Sequence, residues 1–369
     1  MARIALEARS LSTLGGGVRT YTKEVISRIL KAESSDEYII YHDSKKNLSS
    51  FPGAEEKVVS VGHPLFRIGW DYFLLPQALK RDKIDFIHYF KPATTPFKKP
   101  VAIATMYDVI PLLYPETQTA IQLAYWRKQL PLTAKTCAHL ITISECSKRD
   151  IVRLLQVDPA KITVTPLGVD SKFKPVSEIE KIAMREKYRL PEKYILYLGT
   201  IEPRKNVARL IRAFNKVAGN IPHSLVLAGK WGWSYEDVKE EIAKSPFKDR
   251  IISLSYVESE YLPSLCSAAS IFVFPSLYEG YGLPPLEAMA CGTPVITSNV
   301  SSLPEVVGDA ALTVDPLDED ALSKAIERLA LDTALQNELS EKGLARAKQF
   351  NWDKTAEMTL GVYKKVFQL

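Results

Sequence analysis

The sequence predicts an α/β protein built from two doubly wound, Rossmann-like domains facing a central cleft. Three observations carry that prediction. At 369 residues the chain is too long for one ordinary core. Short β-rich apolar runs alternate with amphipathic helical stretches, the pattern of parallel sheets covered by helices on both faces. The alternation is interrupted once, near 166–190, and then begins again.

In the first half the β-rich runs fall at 3–6, 38–41, 57–61, 86–89, 101–105, 140–143 and 162–165. Between the first two, residues 18–31 place Tyr21, Val25, Ile29 and Leu30 on one helical stripe. The interruption contains Leu167-Gly168-Val169-Asp170, then Phe173-Lys174-Pro175, then a charged helix over 178–188. A new strand at 194–198 opens the second half, followed by runs at 224–228, 251–254, 271–274, 294–298 and 311–314. Helices are predicted over 207–218, 236–244, 261–267 and 284–290. The expected domains are 1–175 and 176–350, with 351–369 a C-terminal helix packing back on the first domain. Ligands of such folds sit beyond the carboxyl ends of the strands.

Composition narrows the class. An apolar fraction of 46% and a charged fraction of 25% argue against a disordered chain, a collagen or a disulfide scaffold. The net charge of +5 is uneven: residues 1–180 hold 25 Lys and Arg against 19 Asp and Glu, the remainder 23 against 24. The basic half suits an anionic partner, or it serves solubility alone. No recognition motif accompanies the charge, so nucleic acid is not an expected partner. Four scattered cysteines read as reduced thiols, and the five histidines form no His-x-x-x-His pair. No metal site is expected. The start lacks the apolar core of a signal peptide, and no stretch approaches the roughly 18 apolar residues of a membrane span. The expected location is cytoplasmic, with contact at the inner face of the membrane as an extension of it.

Three motifs carry chemistry. Gly15-Gly16-Gly17-Val18-Arg19 lies between a strand and a helix, where close backbone approach and free N–H groups favour an anion. Gly199-Thr200-Ile201-Glu202-Pro203-Arg204-Lys205-Asn206 sets two cations at a helix start, suited to a diphosphate, with Asn206 as the expected cap. The densest segment runs Phe274-Pro275-Ser276-Leu277-Tyr278-Glu279-Gly280-Tyr281-Gly282-Leu283-Pro284-Pro285-Leu286-Glu287-Ala288-Met289-Ala290-Cys291-Gly292-Thr293-Pro294. It places Glu279 on a loop and Glu287 in the following helix, so that both face one cleft and each can bind sugar hydroxyls. The amides of Gly282 and Leu283 can hold a phosphate. Plainer readings stay open: a flexible turn, a solvated charged turn, and carboxylates favoured by the helix dipole.

Glu279 and Glu287, with seven residues between, resemble the Glu-x7-Glu signature of the retaining GT-B glycosyltransferases of family 4. Glu202-Pro203-Arg204-Lys205-Asn206, Ile143-Ser144-Glu145-Cys146-Ser147-Lys148, Pro166-Leu167-Gly168-Val169-Asp170 and Phe350-Asn351-Trp352-Asp353 are similar to that family as well, so the likeness spans nearly the whole chain. The resemblance implies a GT-B fold and a nucleotide-diphosphate-sugar donor held mainly by the C-terminal domain. It implies that Arg204 and Lys205 neutralise the diphosphate and that Glu287 binds the ribose. Glu279 would bind the donor sugar beside Gly280, Tyr281, Gly282 and Leu283. Gly16 and Gly17 would reach the donor phosphates. No cofactor and no metal are implied, and the leaving diphosphate itself takes the acceptor's proton.

The chain departs from the family in two places. The usual His-Asp is Tyr107-Asp108, in the wording Tyr-Asp-x-Ile-Pro that resembles a mannosyltransferase branch of polysaccharide assembly. Asp108 is expected to orient the acceptor and Tyr107 to contact sugar, although Asp108 could equally cap a loop. A Ser also stands at 255, where Gly is usual. The expected activity is retaining, metal-independent transfer of a hexose, with mannose from GDP-mannose favoured, to a glycan or lipid-linked acceptor. The alternative is a catalytically impaired sugar-nucleotide-binding protein. Residues 66–99 mix Phe66, Trp70, Tyr72 and Phe73 with Lys80, Arg81, Lys83, Lys91, Lys98 and Lys99. They read either as a helix packing Trp70 and Phe73 into the core or as a membrane-facing surface.

Overall fold

The computed structural model of the protein describes residues 2–12, 16–32, 36–59, 70–94, 97 and 99–367. Gly15, Phe66, Lys98 and the side chain of Trp70 lie outside the described residues. The chain divides into two compact units, Met1–Gly168 with Trp352–Leu369, and Val169–Asn351.

The first unit contains β1 (Arg3–Glu7), α1 (Gly17–Ile29), β2 (Glu37–His42), β3 (Glu55–Val58), α2 (Leu75–Arg81), β4 (Phe86–Tyr89), β5 (Val101–Thr105), α3 (Ile110–Leu113), α4 (Ala120–Thr136), β6 (His139–Thr142), α5 (Glu145–Leu155) and β7 (Ile162–Val164). Its strands form a parallel sheet in the order β3-β2-β1-β4-β5-β6-β7. β4 and β6 are buried along their whole length, as strands covered on both faces must be. The order reverses between β1 and β4, which are in register from Ile4 opposite Phe86. That reversal point is where open α/β sheets bind ligands.

The second unit contains α6 (Glu178–Tyr188), β8 (Tyr194–Leu198), α7 (Val207–Val217), β9 (Ser224–Ala228), α8 (Glu236–Lys244), β10 (Ile251–Leu254), α9 (Leu262–Ala268), β11 (Ile271–Phe274), α10 (Leu283–Ala290), β12 (Val295–Ser298), α11 (Leu303–Val307), β13 (Ala311–Val314), α12 (Glu319–Leu331) and α13 (Thr333–Ala347). Its sheet order is β10-β9-β8-β11-β12-β13, again parallel, and it reverses between β8 and β11. α7 buries Val207, Leu210, Ile211, Phe214 and Val217, the spacing of one helical face. Beyond β8 and β9 two backbones meet. A Cβ on Gly229, where φ is +143°, would lie 2.0 Å from the Gly199 carbonyl oxygen. Only glycine fits there.

α14 (Trp352–Phe367) belongs to the first unit. Thr355 Oγ1 donates to Pro166 O at 2.6 Å, Arg28 Nε donates to Asp353 Oδ1 at 2.7 Å, and Tyr363 Oη lies 2.7 Å from His88 Nδ1. The division after Gly168 is seven residues earlier than the expected 175/176. The reason is local: Val169 N donates to Phe350 O at 3.2 Å and Lys172 Nζ to Ser259 Oγ at 2.8 Å, which ties 169–175 to the second unit. Of the two readings of residues 66–99, packing of Phe73 into the core does not hold, since it is 65% exposed while Leu75, Ala78 and Leu79 are buried instead. No helix among the described residues is long and apolar enough to cross a membrane.

Candidate functional site

In the second unit the segment after β8 turns through Pro203–Lys205 and enters α7. Asn206 adopts a left-handed conformation at φ 61°, one that Asn tolerates better than most residues. It does not cap α7 with its side chain, which corrects the expected role. Its amide instead donates to Pro275 O at 3.1 Å and Pro316 O at 2.7 Å. Leu277 N donates to Arg204 O at 2.8 Å. These bonds fasten the cationic turn to the segment after β11.

The loop after β11 brings Glu279 onto that turn. Its Oε1 lies 2.6 Å from Lys205 Nζ and 3.1 Å from Arg204 Nη1. The second Arg204 terminal nitrogen bonds Glu202, while Nη1 also donates to Tyr278 O at 2.6 Å. The four charged side chains are only 4–12% exposed. The loop is held from α11's side: Glu279 N donates to Ser301 Oγ at 3.0 Å, and Ser302 Oγ donates to the Glu279 and Tyr281 carbonyls. Ser301, Ser302 and Glu202 were not among the expected site residues. Serines at a turn carry little sequence signal, whereas Glu202 stands two residues before Arg204 and was open to that inference. Gly282 precedes α10 at φ +127°, and a Cβ there would press to 2.9 Å on Leu303. Pro284 and Pro285 lack N–H groups, so the Leu283 N–H opens the helix with no intrahelical acceptor. Gly280 is buried, and the buried Tyr281 ring packs edge-on against Phe350 at 6.4 Å.

Burial alone would raise the Glu279 carboxyl, but Lys205 and Arg204 outweigh it and hold it below the usual range. Burial pulls the Lys205 ammonium below its ordinary value, against the upward pull of Glu279. Glu287, half-buried on α10, makes no ion pair among the described residues. Burial pushes it up to about 8, with Lys172 drawing it down and Asp170 raising it. The two carboxylates thus sit in different surroundings: Glu279 among cations, Glu287 on a largely desolvated helix face.

In the first unit Gly16, at φ 95°, precedes α1, which begins at Gly17, and a Cβ on Gly16 would meet none of the described residues within 4 Å. Tyr107 is 8% exposed, and its hydroxyl donates to Phe90 O at 2.9 Å. Its one proton is therefore used inside the fold, so toward a sugar this hydroxyl can only accept. Burial raises this phenol well above its ordinary value. Asp108 is half-buried, and its Oδ1 accepts from Ile110 N at 2.9 Å, so it does cap the turn before α3. It also lines a cavity of about 220 Å³ with Val18, Lys91, Tyr107, Trp126 and Leu130. Ser255 and the exposed Tyr256 follow the edge strand β10.

Two family models match the chain. Residues 15–173 match "Glycosyltransferase Family 4" and residues 179–346 match "Glycosyl transferases group 1". O-antigen chain mannosyltransferase B of Escherichia coli is 33% identical over 367 residues, covering 94% of this chain and 96% of that protein. O-antigen chain mannosyltransferase RfbU of Salmonella typhimurium is 32% identical over 61% of this chain and 60% of its own length. Among solved structures, sucrose-phosphate synthase from Thermosynechococcus elongatus superposes with a TM-score of 0.79 at 21% identity over 100% of both chains. HepE of Anabaena in complex with UDP and glucose gives a TM-score of 0.78 at 16% identity, over 99% of this chain and 100% of that one.

Proposed function

Because the chain belongs to the family 4 glycosyltransferases of GT-B fold, we propose that it transfers mannose from GDP-mannose, with retention, to a growing glycan or a lipid-linked saccharide. The observation that supports the donor half is the meeting of Arg204, Lys205 and Glu279 at the sheet's reversal point in the second unit. Mannose is supported by the O-antigen relatives, which are mannosyltransferases.

In this reading the donor diphosphate lies on Arg204 and Lys205, with the Leu283 amide beside it. Glu287 takes the ribose hydroxyls and Glu279 the hydroxyls of the sugar. The acceptor oxygen bonds to the anomeric carbon on the face from which the diphosphate leaves. The carbon–oxygen bond to the diphosphate breaks, and its oxygen takes the acceptor's proton. Charge develops on that oxygen, and the two desolvated cations beside it stabilise the transition state more than the ground state. The chain itself supplies this positive charge.

The acceptor's terminal sugar fits the cavity of the first unit, where Trp126 and Leu130 offer an apolar wall and Asp108 an acceptor for a hydroxyl. The outward Phe73 and Leu74, near Lys80 and Arg81, would rest on an anionic membrane that carries a lipid-linked acceptor. The test is transfer by the purified chain from a panel of sugar nucleotides to an oligomannose acceptor, free or lipid-linked in anionic liposomes, with the new linkage read by NMR. An α-mannoside formed from GDP-mannose is expected. A β-linked product, or no product with any sugar nucleotide, would overturn the reading.

A further inference from the structure

The free chain already holds an anion at the place where the donor brings one. A single oxygen of Glu279 bridges Lys205 Nζ and Arg204 Nη1, at 2.6 and 3.1 Å. These distances are those of a phosphate oxygen on the same two cations. Glu202 occupies the remaining side of Arg204. Two buried cations are thus matched by two buried carboxylates, and further negative charge arriving on them meets a set already in balance.

The two carboxylates differ in their freedom to leave. Glu202 opens the same short turn as Arg204 and is fixed beside it. Glu279 sits 74 residues beyond Lys205. Its backbone is fastened by Ser301 and Ser302, and its side chain reaches across to the cations. It can swing while the loop stays in place.

We propose that Glu279 stands in for a donor phosphate oxygen in the free protein, and that this competition selects the intact sugar nucleotide over the nucleoside diphosphate left after transfer. The inference rests on the donor reading given above. When the intact donor arrives, the carboxylate leaves the cations and accepts hydrogen bonds from sugar hydroxyls, which offset the ion pairs it gives up. A bare diphosphate offers no hydroxyls at that position. The carboxylate then stays as a rival for the cations and as a like charge beside the phosphates. Discrimination of this kind comes from repulsion of the wrong ligand as much as from attraction of the right one. It lets product leave.

The experiment uses calorimetry with inorganic pyrophosphate, which carries the charge without base or sugar, on the whole chain. Glu279→Gln keeps the shape and removes the charge. It is expected to bind pyrophosphate at least about tenfold more tightly than the unaltered protein. Glu279→Ala is expected to shift the same way and Arg204→Ala the opposite way. With GDP and GDP-mannose, the unaltered protein is expected to favour the sugar nucleotide and Glu279→Gln to lose that preference. Equal or weaker pyrophosphate binding in both Glu279 variants overturns the proposal, as does the absence of binding in every form. Failure of the donor reading would show elsewhere, as no transfer from any sugar nucleotide by the unaltered protein.

Discussion

Glu287 shows what burial does to one carboxylate. With its pKa pushed up to about 8 from an ordinary value of 4.5, it is mostly protonated at pH 7 in the free protein. Ribose hydroxyls donate better to an ionised carboxylate than to a neutral acid. In the proposed donor pose, with the ribose on Glu287, nucleotide binding lowers this pKa and a proton leaves as the complex forms. The expected outcome is that GDP binding at pH 7 releases close to one proton and tightens as pH rises toward 8. Calorimetry in buffers of differing ionisation enthalpy measures this, and Glu287→Gln should abolish both effects. Tyr107 teaches the converse. As a motif residue it reads as a sugar contact, yet its hydroxyl proton goes to Phe90 O. Which acceptor a buried hydroxyl finds is set by chain packing 17 residues away, and local sequence does not encode it.

At the level of elements, the strands were the most legible parts. The expected runs at 86–89, 101–105, 194–198, 224–228, 251–254, 271–274 and 311–314 coincide with β4, β5, β8, β9, β10, β11 and β13. Of these, β4 and β11 are buried along their whole length and β5, β8 and β9 nearly so, and they read as apolar runs with turn residues at their ends, while the edge strands β10 and β13 are only partly buried. The joins between elements were not legible. Asn206 reads as a helix cap, but its left-handed backbone turns the amide toward Pro275 and Pro316. His88 joins β4 to α14 through Tyr363 at 2.7 Å and contacts Thr105 Oγ1 at 2.9 Å. Burial pulls its pKa down to about 3 from 6.5, so the native state keeps the ring neutral while the unfolded chain protonates it. The stability this neutral ring contributes is present above pH 6.5 and lost as pH falls from there toward 3. Burial depresses His139 and His223 to about 4, which adds loss in the same direction. Chemical denaturation at pH 7 and pH 5 should show the unaltered protein losing more stability than His88→Gln does. The variant should start lower at pH 7 by about 1–3 kcal/mol, from hydrogen bonds left unmade. An identical pH dependence in the two proteins would count against the buried neutral ring.

For the molecule as a whole, the six-stranded sheet repeats the order of the first six strands of the seven-stranded one, and the donor site proposed in the second unit lies at its reversal point. The uneven charge of the sequence matches that division of labour. The second unit, with 22 Lys and Arg against 25 Asp and Glu, holds cations locally at Arg204 and Lys205, and the basic first unit, with 26 against 18, carries the proposed acceptor cavity. That α14 completes the first unit was legible as a closing helix with a Trp at its start. That it does so through His88, Asp353 and Thr355 was not, because those partners lie up to 325 residues apart in the chain. The central claim is that a buried pair of cations in the second unit carries the leaving diphosphate. Single-turnover transfer from GDP-mannose by Lys205→Ala tests it most directly. Arg204 remains on Glu279 in this variant, so the circular dichroism spectrum should be unchanged while the rate falls by roughly 10²-fold or more. Transfer at the unaltered rate by a folded Lys205→Ala protein would contradict the account.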